Sequence, residues 1–233
     1  MLILKPDECR VLGVLVEKAQ TTPGQYPLTM NALTNGCNQK NNRFPVTDWD
    51  EERVYDAVDS LRGKKLVIEV QFTGSRVPKF KHNARETLGV DTTQLVILTE
   101  LLLRGPQSIG DLRGNASRMH PIESLETART VLDSLMSTAP PARPEPIVKE
   151  IPPPAGGRAR LFVQLLCPDL HPLGSLMAAA HGGTPVERVQ MAAPAAASDH
   201  LSERVDALES EVRRLKSALA ALAGKLGESD PLE

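Results

Sequence analysis

Aromatic side chains make up only 3% of this 233-residue chain: Trp49, Tyr26, Tyr55, Phe44, Phe72, Phe80 and Phe162. Its cores must therefore be built mostly from Leu, Val, Ile and Ala. Cysteine is as scarce. Cys9, Cys37 and Cys167 are too few and too scattered for a disulfide framework or a four-cysteine zinc site, and they fit a reducing compartment. No run approaches the roughly 18 apolar residues that a membrane helix needs. The start, MLILKPDECR, meets a charged turn too soon to resemble a secretory signal. A soluble cytoplasmic protein with no membrane partner is the expectation.

Signatures of chemistry are missing too. The histidines (His82, His120, His171, His181, His200) fall in turns or linkers without HxxxH spacing, and no CxxC is present. The Gly pairs at 156–157 and 182–183 follow no strand-to-helix phosphate pattern, and Cys37 has no histidine close to it in sequence. These absences argue against an enzyme, a metal site and a cofactor. The formal charge of -2 is not the footprint of a strongly electrostatic nucleic-acid binder, although a local basic face fits inside a balanced total.

What is present is a layout used twice. PDECRVLGVLVEKAQT carries Leu12, Leu15 and Val16 on one helical face, with Pro6, Asp7 and Glu8 suited to its first turn. Residues 28–36 (LTMNALTNG) predict a short second helix, and Thr47 or Asp48 is placed to cap a third, WDEERVYDAVDSLRGKK. LVIEVQF and VPKFKHN then flank the turn TGSR as a hairpin. The order recurs. TTQLVILTELLLR predicts a helix, Ser108 caps a short one over IGDLRGNASRM, and Pro121 starts IESLETARTVLDSLMS with Ile122, Leu125, Ala128, Val131, Leu132 and Leu135 inward. PIVKEIP and RARLFVQLL form a second hairpin around PPAGG.

Three helices followed by a hairpin is the winged-helix arrangement. The fold expected is mainly α with small β hairpins: tandem winged-helix domains over residues 1–87 and 88–168 and a C-terminal coiled-coil helix. An Ala/Gly/Pro-rich linker at 169–199 separates the domains from that helix at 200–227, and a disordered tail occupies 228–233. In the tail helix Val205, Val212, Leu219 and Leu226 take a positions and Leu201, Leu208, Leu215 and Leu222 take d positions. That stripe predicts a homodimer; folding back onto a domain is the alternative.

The segments EKAQTTPGQYPLTMNALTNGCNQKNNRFPV, TELLLRGPQSIGDLR and ERVDALESEVRRLK, in that order, resemble the YceH family of bacterial proteins over nearly the whole chain. The resemblance implies a pair of winged-helix domains and a short coiled segment. It implies no catalytic residue, cofactor or DNA sequence.

The third helices are poor DNA readers, because Asp50, Glu51, Glu52, Asp56 and Asp59 in the first and Glu123, Glu126 and Asp133 in the second repel phosphate. Nucleic-acid contact would fall instead to Asn38, Gln39 and Asn42 as base readers, with Lys40, Arg43, Arg76 and Lys79 at the backbone. Two readings therefore stand: a non-enzymatic regulator associated with double-stranded DNA, and an adaptor for an unidentified protein partner. The loop also has a purely structural explanation, since Asn and Gly favour Asx turns and left-handed backbone, with Cys37 buried between helices. Trp49 and Tyr55 are expected in core or boundary packing.

Overall fold

A computed structural model describes residues 2–72, 74, 77–139, 143–153, 157–170 and 174, all within one compact unit spanning Met1–Thr184. The expected linker beyond residue 170, the coiled-coil helix with Leu201, Val205, Leu208, Val212, Leu215, Leu219, Leu222 and Leu226, and Arg76 at the first hairpin's tip lie outside the described residues.

The chain forms a mixed α/β fold of several helices and two small antiparallel sheets. The first half runs α1 (Pro6–Thr21), β1 (Leu28–Thr29), α2 (Met30–Cys37), α3 (Glu51–Gly63), β2 (Val67–Val70) and β3 (Lys79–His82). A short α4 (Ala84–Leu88), unforeseen in the sequence, leads into the second half: α5 (Thr92–Arg104), β4 (Gln107–Ser108), α6 (Ile109–Ala116), α7 (Leu125–Leu135), β5 (Val148–Ile151) and β6 (Leu161–Gln164). The strand orders match, β1-β3-β2 and β4-β6-β5. Phe80 and Phe162 sit at the middle of each sheet, opposite Leu28 and Gln107 on one side and Glu69 and Glu150 on the other. Both rings are buried, and with so few aromatics in the chain each anchors its sheet to the helices.

Local chemistry explains where the helices begin. Pro6 supplies the fixed φ of a first turn, and the Glu8 carboxylate reaches back to accept the Lys5 N–H at 2.7 Å. Ser108 accepts the Asp111 N–H at 3.2 Å, as its position before a helical pattern predicted. Three boundaries differ from expectation. Leu28 and Thr29 pair with Phe80 and Lys79 as a strand, so the second helix starts at Met30 with the Thr29 hydroxyl as its cap. Asp50, which accepts the Arg53 N–H at 2.9 Å, caps α3, while the Thr47 hydroxyl donates to the Cys37 carbonyl at 3.0 Å and stays in the loop. Ser124 caps α7 and accepts the Thr127 N–H at 3.0 Å, so Pro121 and Ile122 precede the helix and Leu125, on its first turn, is 52% exposed.

The larger finding concerns α1 and α5. Residues 8–17 of α1 and 95–103 of α5 are buried all round, not on one face. Each helix is wrapped by its own half on one side and meets the other helix on the opposite side. Gly13 makes that approach close: a Cβ added there would lie 2.7 Å from Leu103 Cδ2. The Leu4 N–H donates to the Leu166 carbonyl at 2.7 Å and the Phe44 N–H to the Leu103 carbonyl at 2.8 Å. One apolar core thus runs continuously from Leu4 to Cys167 through both halves.

Candidate functional site: the Asn-rich loop and the first hairpin

The loop from Asn38 to Asp50 is held by two buried arginines. Arg10, on α1, donates from Nη1 to the Cys37 carbonyl at 3.0 Å and from Nη2 to the Pro45 carbonyl at 2.5 Å. Burial, with the neighbouring Arg43 charge, lowers its pKa to about 10. Arg43, from the loop itself, has a fully buried side chain. Its Nη1 and Nη2 grip the two Glu17 oxygens at 3.1 and 2.5 Å, while the remaining N–H groups reach the Gly36 and Asn42 carbonyls and Gln39 Oε1. All five guanidinium donors are used. The expected Arg43–phosphate contact is therefore corrected: the group is a buried clamp with no donor to spare.

Asn38 is also committed. Its Oδ1 accepts the Trp49 N–H at 2.8 Å and its Nδ2 donates to the Trp49 carbonyl at 2.7 Å, so the amide mimics a strand partner and closes the loop. Gln39 Oε1 accepts from Lys18 Nζ at 3.3 Å and from Arg43. Asn42 adopts φ 60, the left-handed region in which Asn is tolerated, and turns its Oδ1 to Arg104 and Arg118 of the second half. For these residues the structural explanation of the loop accounts for the polar atoms described. Lys40 and Asn41 remain exposed, at the rim of a polar cavity of about 400 Å³ that Glu17, Lys18 and Thr21 line from α1.

A network that sequence reasoning missed continues from Asn42. Arg104 Nε lies 2.8 Å from Glu100 Oε2 and Arg118 Nη2 lies 3.7 Å from Glu100 Oε1. Burial pushes the Glu100 carboxyl up, against the pull of both arginines. The chain Lys18–Glu17–Arg43–Asn42–Arg104–Glu100–Arg118 stitches the two halves. Its signal was legible: a carboxylate inside an apolar run, as in VLVEK and ILTELLL, must find a buried cation.

Burial pushes the Cys37 thiol up to about 12, so it is no nucleophile at neutral pH. Cys9 donates to Cys167, which raises the former and lowers the latter. Among the described residues, no cluster of three His, Cys, Asp or Glu side chains could hold a metal ion, and no helix is long and apolar enough to cross a membrane.

The first hairpin has a different surface. Ile68 pairs with Lys81 and Val70 with Lys79, placing these four on the face away from Phe80. Lys79 Nζ stands 5.6 Å over the Phe72 ring. Lys65, Lys79, Lys81 and Arg85 make no ion pair among the described residues, whereas Arg53, Arg62 and Lys64 on or beside α3 are neutralised by Asp7, by Asp59 with Glu69, and by Glu8. Arg53 also lies 4.7 Å over Trp49, which packs at the edge of the core, while Tyr55 is 50% exposed.

Two small halves with matching strand orders around one shared core place the chain in a class of mixed helix-and-sheet proteins, and residues 4–156 match a family described as a protein of unknown function, DUF480. The UPF0502 protein of Burkholderia cenocepacia strain HI2424 is 38% identical over 224 residues, covering 96% of this chain and 89% of its own. That of Burkholderia multivorans is 38% identical over 228 residues, covering 97% and 94%. The chain belongs to this family, the UPF0502 or YceH proteins, as the three quoted segments indicated.

Proposed function

We propose that this chain is a non-enzymatic, DNA-associated regulatory protein in which each half is a winged-helix domain and the first hairpin is the principal contact. The order helix, short strand, helix, helix, hairpin, with the first strand joining the hairpin as a third, supports the winged-helix reading. The observation that carries the DNA reading is the distribution of unpaired cations. Lys65, Lys79, Lys81 and Arg85 gather on the hairpin and its ends, while α3 turns Glu51, Glu52, Asp56 and Asp59 outward. Phosphate would be met by the hairpin and not by the third helix. Lys40 adds a cation from the loop, and a homodimer joined by the tail helix would double the contact set on a site with two-fold symmetry.

Selection of genomic fragments by the purified full-length protein at two salt concentrations tests this. Retained fragments with salt-sensitive affinity are expected, and the Lys79→Glu, Lys81→Glu double variant should reduce the logarithmic salt slope by roughly 2. No retention at low salt would refute DNA association. A second reading, a protein adaptor, rests on Phe44 at 65% exposure with the exposed Val46 beside it, an apolar loop that no DNA contact would explain.

A further inference from the structure

All three cysteines are free and buried, and two of them meet. Cys9, on α1, belongs to the first half, and Cys167, just past β6, closes the second. Both lie fully inside the shared core, and the Cys9 thiol donates a hydrogen bond to the Cys167 sulfur. Each sulfur hangs from fixed backbone. The Cys9 N–H donates to the Lys5 carbonyl at 3.0 Å in the first turn of α1. Gln164, itself buried, holds Cys167 at both ends of its residue: Oε1 accepts the Cys167 N–H at 2.7 Å and Nε2 donates to the Cys167 carbonyl at 3.1 Å. The Leu4–Leu166 bond, just before each of these segments, ties the two backbones together. Cys37 is placed differently, at the end of α2 beside the charges of Arg10 and Arg43.

A disulfide needs its Cβ atoms about 3.8 Å apart, and two thiols already in hydrogen-bond contact have little distance left to close. We propose that Cys9 and Cys167 are a disulfide site: in the presence of a small-molecule disulfide the chain closes this bond in preference to either pairing with Cys37. The exchange takes place while the fold is locally open, since neither sulfur is exposed in the closed one. The Cys167 thiolate attacks a sulfur of glutathione disulfide, breaking its S–S bond and releasing one glutathione thiolate. The Cys9 thiol then loses its proton and attacks the Cys167 sulfur of the mixed disulfide, releasing the second glutathione. The Cys9 hydrogen bond, with the Leu170 and Asp169 N–H groups, favours the Cys167 thiolate over the opposing effect of burial. Reclosure buries the new bond, so a reductant reaches it only when the fold opens again. In a reducing compartment the pair stays a dithiol. Because the partners come from different halves, oxidation turns a packed joint into a covalent one. This site is independent of DNA association.

The test holds the full chain in oxidised and reduced glutathione with urea just below its unfolding transition, where it opens and recloses reversibly. Acid quenching, alkylation and peptide mapping by mass spectrometry then read the pairings. The peptide linking Cys9 to Cys167 should exceed either peptide containing linked Cys37 at least tenfold, with Cys37 recovered as an alkylated thiol. The oxidised chain should melt about 5–10 °C higher. Dithiothreitol should reverse that shift at least tenfold more slowly without urea than with it. Cys37→Ser should leave these results unchanged, and Cys9→Ala or Cys167→Ala should remove both the linked peptide and the Tm rise. Where an alanine variant folds poorly, the ratio of pairings in the unaltered chain still decides. Comparable amounts of all pairings, only mixed disulfides with glutathione, no internal bond, or a Cys9–Cys167 bond that lowers Tm would overturn the proposal.

Discussion

Replacing Gly13 by Ala adds one methyl group and ought to help an isolated helix by about 1 kcal/mol. In this fold the new Cβ would meet Leu103 Cδ2 at 2.7 Å and Cγ at 2.8 Å, with Leu102 Cβ at 3.6 Å behind them. Carbon atoms prefer about 3.5–4.0 Å, so α1 and α5 would have to separate by nearly an ångström or Leu103 would have to leave its rotamer. Leu103 is itself buried in the core. Overpacking of this kind costs typically about 1–3 kcal/mol, which outweighs or at least cancels the propensity gain. For a body of this size each kcal/mol moves Tm by roughly 2–4 °C. Gly63→Ala is the internal control: it lies in the last turn of α3 with nothing within 4 Å of the added Cβ, so it should stabilise by about 0.5–1 kcal/mol. Urea denaturation with shared m-values would measure both. A Gly13→Ala protein as stable as the Gly63→Ala protein would refute the close packing of α1 on α5.

Glu17→Gln should destabilise by about 3–5 kcal/mol, because it strands the Arg43 guanidinium in the interior, while a Glu17→Met, Arg43→Met double variant should recover much of that loss in the same denaturation assay. Glu8 is buried, which opposes ionisation, but Lys64, Ser60 and the Lys5 N–H outweigh this and hold its pKa below the usual carboxylate value. A depressed folded pKa contributes stability above the unfolded value that disappears as pH falls through the folded one. The stability gap between wild type and Glu8→Gln should therefore be full at pH 7 and close on acidification; a gap that widens in acid would refute this. Native Cys37 should resist alkylation at pH 8, since burial pushes it up to about 12, and become reactive only on unfolding; rapid labelling of the folded protein would place it elsewhere.

Element existence was readable because the punctuation is local: Pro6 opens a helix, Ser108 caps another, and alternating residues around PPAGG pair as β5 and β6. Errors came where two local explanations competed. Thr47, Asp48 and Asp50 are all good caps, and local sequence does not rank them: Asp50 caps α3 while Thr47 is tied back to Cys37, ten residues before it in sequence. The third strand of each sheet is only two residues long and carries no periodicity, so Leu28–Thr29 read as the start of a helix. The site was less legible. Asn38 and Arg43 have the side chains of nucleic-acid readers, and only three-dimensional partners, Trp49 and Glu17, show that both are held within the protein. Conversely, the all-round apolar character of CRVLGVLVE and LVILTELLL was in plain view and already implied two helices buried against each other.

Gly13 has a consequence beyond packing. Modules strung on a tether can be duplicated, re-spaced by insertion or borrowed by other chains, because nothing between them is lost when they part. Here the joint is itself core: parting the halves would uncover α1 and α5 together and break the Leu4–Leu166 and Phe44–Leu103 backbone bonds. The placement of one half on the other is thus fixed by side-chain contact, to the tolerance of a protein interior.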